Sequence, residues 1–153
     1  DESVREAVKN DDYRQQLQNG DYSGTANSFL CRAQILERLG DYVEAGWASV
    51  YAAWVCDDST FTQGATDCRK RAVALLRKAQ AEGMPFAEDH GREVVLLADL
   101  LRRAGQLEQA QRLIEVELDM DHDQRVRQLL SYEMDLVEDK DLRVHPESEA
   151  FED

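Results

Sequence analysis

Twice in this chain a helical run of apolar residues meets a glycine and restarts at once. In the first case Ala26, Phe29, Leu30, Ala33, Leu36 and Leu39 fall three and four apart, and Gly40 follows. Asp41 and Glu44 then form an aspartate version of the capping box, so a new helix is expected from about Tyr42 to Cys56. In the second case a helix from about Glu88 to Ala104 stops at Gly105, and its partner runs from about Leu107 to Leu118. Glycine past the end of a helix takes the left-handed backbone that lets the chain reverse. Punctuation of this kind makes antiparallel helical hairpins, and it leaves little room for a sheet.

The rest of the chain agrees with an all-α fold of six to seven helices. Residues 1–24 read as an N-terminal helical segment, either one broken helix or two short ones. A helix from about Ala65 to Glu82 turns Ala72, Val73, Leu75, Leu76 and Ala79 one way. Its other side carries Arg69, Lys70, Arg71, Arg77 and Lys78, the one concentrated basic surface expected. Asp121 with Gln124 suggests a last helix ending near Glu138. Residues 139–153 are acidic and poor in apolar anchors, so a mobile tail is expected after a main domain over 25–138.

Charge and composition exclude several functions. The formal charge of −14 opposes binding to nucleic acid or to an anionic membrane surface. The longest apolar stretch, Val94 to Ala98, is far too short to span a bilayer. Three cysteines without paired spacing, Cys31, Cys56 and Cys68, suit a cytoplasmic protein. The first residue is Asp1 and not methionine, which leaves an upstream domain open.

The segments Leu39-Gly40-Asp41-Tyr42-Val43-Glu44-Ala45 and Ala104-Gly105-Gln106-Leu107-Glu108-Gln109-Ala110 align without a gap. Each resembles the hairpin centre of a tetratricopeptide repeat, with a glycine for the reversal and an alanine for close helix approach. Phe29 and Val94 match the family's first aromatic position, and Ala33 and Ala98 its small one. Gly40 and Gly105 lie 65 residues apart, short of two regular repeats, so the likeness is to a bacterial variant with a long middle helix. The resemblance implies a short right-handed α-solenoid that binds proteins and has no chemistry of its own. It also implies a concave face carrying Asn27, Gln34 and Arg38 in one copy and Arg92, Asp99, Arg102 and Arg103 in the other. Leu30 and Gln34 stand where carboxylate-binding members have Lys and Asn, so that peptide mode is not expected.

Helix 42–56 has a second apolar side. Ala45, Ser49, Ala52, Ala53 and Cys56 form a small-residue stripe suited to packing on helix 25–39, while Trp47, Val50, Tyr51 and Trp54 lie opposite. Cover for Trp47, Tyr51 and Trp54 is expected from the N-terminal segment, from the helix after Ala65, or from a second copy in a homodimer. No metal or cofactor is expected. Asp119, Asp121 and Asp123 imitate a calcium loop, but Gln124 and Leu130 replace its glycine and its last glutamate. The loop acids Asp57, Asp58 and Asp67 beside Cys56 and Cys68 make only a weak metal pattern. His90, His122 and His145 fall at helix ends or in the tail, away from any nucleophile, so no enzyme is expected. The expected function is a protein-interaction scaffold, and the alternative is an acidic inhibitor or decoy for a basic protein surface.

Overall fold

The computed structural model describes residues 2–152. Among the described residues the chain is all-helical, with α1 (Glu2–Lys9), α2 (Asp11–Leu17), α3 (Gly24–Arg38), α4 (Tyr42–Asp58), α5 (Thr62–Ala81), α6 (His90–Arg103), α7 (Leu107–Leu118) and α8 (Gln124–Glu138). A short 3₁₀ turn follows at Glu147–Phe151. Eight helices replace the expected six to seven. The N-terminal segment divides at Asn10, whose side chain accepts the Asp12 amide at 2.8 Å and caps α2 as a separate helix. The contacts form two compact units, the first ending at Phe86 and the second starting at Ala87.

Both glycine reversals lie where the sequence puts them. Gly40 and Gly105 each have φ +76°, a region closed to most residues by the clash of Cβ with the carbonyl. In each, the glycine amide donates to the carbonyl three back, and the next amide to the carbonyl five back. For Gly40 these are Gly40 N to Glu37 O and Asp41 N to Leu36 O. For Gly105 they are Gly105 N to Arg102 O and Gln106 N to Leu101 O. The same pair of bonds ends α4 through Thr60 and α8 through Lys140, at φ 63° and 54°. Caps open the following helices: Asp41 for α4, Asp89 for α6 and Asp123 for α8. The expected capping aspartate of α8, Asp121, is displaced by Asp123, which lies next to the first helical residue and accepts the Val126 amide at 2.8 Å.

In the first unit α4 packs on both α3 and α5. Ala45, Ser49, Ala52, Ala53 and Cys56 are all fully buried, so the small-residue stripe works as expected and also serves α5. Ala26, Leu30, Ala65 and Cys68 complete that core, with Tyr22, Phe29, Val55 and Phe61 around it. The second unit packs α6, α7 and α8 mutually around Val94, Leu97, Ala98, Leu101, Ile114 and Leu130.

The acidic tail, expected to be mobile, makes several contacts with α8. The 3₁₀ turn packs on α8, Glu149 accepts from the Tyr132 hydroxyl at 2.6 Å, and the Arg125 guanidinium lies over the Phe151 ring. Net charge alone misses this, because the anchors are a few polar and aromatic contacts. The reversals give a direct test. Gly105→Ala is expected to lower stability by about 1 kcal/mol, since alanine resists the left-handed region. Lys140→Gly is expected to raise it by a smaller amount. Urea denaturation of both variants checks the opposite signs.

Candidate functional site

The residues expected on a concave binding face separate into several environments. Asn27 is 3% exposed, accepts from Gln16 Nε2 at 3.0 Å and donates to the Asn19 carbonyl at 2.8 Å. It ties α2 and the loop after it to α3, so it is a core group and not a binding one. Gln34 and Arg38 do come together. They line an open groove with Asp12, Glu37, Tyr42, Arg71 and Lys78. In the second unit Arg92 pairs with Glu88 at 3.4 Å, and Asp99 is occupied by Arg102. Arg103 is half-buried.

Arg102 is the clearest correction. It is fully buried, and its five N–H groups meet five acceptors. Nε donates to Glu133 Oε2 at 2.7 Å, and Nη1 to the carbonyls of Asp141 and Arg143 at 2.6 and 2.9 Å. Nη2 donates to Asp99 Oδ1 at 2.9 Å and reaches Glu133 Oε1 at 3.5 Å. Burial pushes the Glu133 carboxyl up, and the Arg102 guanidinium opposes that rise. A side chain bonded in this way has no donor left for a partner.

The basic face expected on α5 is absorbed in part, with Lys70 and Arg77 left exposed. Arg69 is buried and paired with Asp57, and Arg71 and Lys78 both reach Glu37, Lys78 at 2.7 Å. The thiols of Cys31, Cys56 and Cys68 are buried and unpaired to one another by any disulfide, and burial pushes all three up, which makes them poor nucleophiles at neutral pH.

A further open surface is aromatic. On α4 the positions Glu44, Trp47, Tyr51, Trp54 and Asp58 are spaced three, four, three and four, and so lie along one stripe. Trp47 is half-buried and donates its indole N–H to the Phe86 carbonyl at 3.0 Å. Tyr51 and Trp54 are 41% and 47% exposed. The intramolecular cover expected for them is only partial: Trp47 packs at Phe86 and Tyr51 against Phe29 of α3, while Tyr51 and Trp54 keep two fifths to half of their surface in solvent. Tyr51 stands at the centre of the group, 5.8 Å from Phe29, 6.0 Å from Trp47 and 5.5 Å from Trp54 between ring centroids. Val50, grouped with these aromatics by sequence, is fully buried.

One cluster was not anticipated at all. His90 and His122 stack beside the buried Glu117 in the second unit. Comparison with family models, with curated proteins and with solved structures gave no match. Among the described residues, no helix is long and apolar enough to cross a membrane.

Two predictions follow from the second unit. Arg102→Ala strands the buried Glu133 carboxylate and is expected to cost about 3–5 kcal/mol in a denaturation curve. Cutting the chain after Lys140 removes both carbonyls from Nη1, and a melting point lowered by less than about 2 °C would contradict that role.

The tail is also pH-dependent. Glu149 and Asp141 accept from His145 at 2.7 and 3.0 Å and hold its imidazole above the ordinary 6.5. Its contribution is therefore complete below 6.5 and is lost as pH rises through the higher folded value. Arg143 and His145 hold Asp141 below its ordinary range, and Tyr132 and His145 hold Glu149 below its own. Those contributions are present above the ordinary values, 3.8 and 4.5, and are lost as pH falls through the depressed ones. Amide protection of residues 141–151, corrected for intrinsic exchange, is expected to be greatest between about pH 5 and 6.5 and to fall above that window. Protection that is flat up to pH 9 would refute the linkage.

Proposed function

We propose that this chain is a non-catalytic, tetratricopeptide-like helical module that binds another protein through the outward stripe of α4. The carrying observation is that the one side of α4 left to solvent is aromatic where a surface helix is ordinarily polar. Tyr and Trp are the side chains that most often anchor protein interfaces. The two aligned glycine hairpins, both with the left-handed turn, support the family likeness and its scaffold character. Buried free thiols support a reducing, cytoplasmic setting.

The stripe also suggests the partner's chemistry. Glu44 and Asp58 flank the aromatics, on a face of roughly 20 Å from end to end. The partner this fits is a segment with apolar anchors between basic ends. Its anchors bury against Tyr51 and Trp54, and its charges meet the flanking carboxylates. The acidic-decoy reading keeps one observation in its favour, the net charge of −14, which would draw a basic surface without any aromatic anchor.

Calorimetric titration with helical peptides tests both readings. Peptides with leucine or aromatic anchors between lysines are expected to bind, and matched peptides with acidic ends or alanine in place of the anchors are not. Tyr51→Ser with Trp54→Ser is expected to weaken binding by more than about thirtyfold while the fold persists, because neither residue belongs to the buried core. Unchanged affinity in that double variant, with steep loss on added salt, would replace this reading by the decoy.

A further inference from the structure

Three metal-ligating side chains of the second unit converge although they are distant in sequence. His90 opens α6, Glu117 lies in the last turn of α7, and His122 lies in the loop between α7 and α8. One ligand atom of each lies within 4.8 Å of the others. Nε2 of His122 is 2.8 Å from Glu117 Oε2, and Nε2 of His90 is 3.4 Å from the same oxygen. The two imidazoles stack with centroids 5.9 Å apart and planes 18° from parallel.

The fold builds this group from two features. The reversal at Gly105 folds α7 back along α6, so the end of α7 returns to the start of α6. Gly91 then admits α8. A Cβ at position 91 would lie 2.7 Å from Val126 Cγ2, so only glycine lets the first turn of α8 press on the first turn of α6. The loop carrying His122 is thereby held beside His90.

We propose that His90, Glu117 and His122 bind a divalent transition-metal ion of the zinc class. Two imidazole nitrogens and one carboxylate suit zinc, cobalt or nickel, whereas calcium and magnesium take sets of oxygens. Zinc bonds near 2.0–2.1 Å in a tetrahedron place donor atoms about 3.3 Å apart. The His90 to Glu117 separation already meets that distance. The ion replaces the Glu117 to His122 hydrogen bond, and the remaining gap closes by rotation of His90, whose side chain is 58% exposed.

The surroundings fit a cation. Glu117 is 8% exposed, so a dication between neutral imidazoles balances a nearly buried carboxylate. Glu93 Oε2 stands 4.0 Å from His90 Nδ1. With Nε2 turned to the ion, the Nδ1–H faces that carboxylate, which makes Glu93 a positioning residue for His90. His122 also lines an open groove with Gln124 and Arg127, which gives the ion an entry path.

The test is titration of the metal-free full chain with Zn²⁺, and with Co²⁺ as a spectroscopic probe. One ion per chain, a raised melting temperature and the visible absorption of tetrahedral cobalt are expected. His90→Ala, at a largely exposed position, and His122→Ala are each expected to weaken binding at least tenfold with unchanged circular dichroism. Glu93→Gln is expected to weaken it about 10–100-fold while the stoichiometry stays at one. His145→Ala, in the tail, should leave binding unchanged. Absence of stoichiometric binding would overturn the proposal, and so would a zinc affinity unaffected by replacing both His90 and His122.

Discussion

An α-helix leaves its last four carbonyls without partners, and how a chain satisfies them decides where it goes next. Here α3, α4, α5, α6 and α8 share one solution, a left-handed residue that turns two amides back onto the helix end. After α3 and α6 that solution leads straight into an aspartate or glutamine and a new antiparallel helix. The core of each unit depends on it. The small-residue stripe of α4 meets α3 because the chain reverses within three residues of Arg38, and α7 meets α6 for the same reason at Gly105.

The second unit adds a different kind of constraint. Arg102 sits inside it with every donor engaged, and two of its acceptors belong to the segment after α8. A buried guanidinium would be costly without that set, so the tail carbonyls of Asp141 and Arg143 are part of the core, even though the Arg143 side chain faces water. An apparent surplus of negative charge in the tail is thus joined to the fold by backbone oxygens.

Much of this was readable in residue order. The periods of α3 to α8, the glycine reversals, the capping role of Asp41 and the aromatic side of α4 all follow from local rules. What escaped has physical reasons. Thr60 and Lys140 end helices in a conformation that their side chains disfavour, so no glycine marks those turns. Asn27 and Arg102 are polar residues on otherwise apolar stripes, and sequence does not show that Gln16, Glu133 and the tail carbonyls lie close enough to satisfy them. The histidine cluster was hidden by separation along the chain. Counting outward from Gly105 would have found it, since a hairpin sets residues at similar distances from its turn side by side and so brings His90 near Glu117 and His122.

The division into two compact units has a practical optical consequence. Both tryptophans, Trp47 and Trp54, lie before Phe86, so indole emission reports on the first unit alone. Tyr132 is the sole tyrosine after it, and its hydroxyl is bonded to Glu149, which with burial pushes it up to about 12. A fluorine label on tyrosine would therefore place a single resonance in the second unit, sensitive to the docking of its tail. Native indole emission and a fluorine label on tyrosine thus allow the unfolding of each half to be followed separately in one sample, with no substitution in the core.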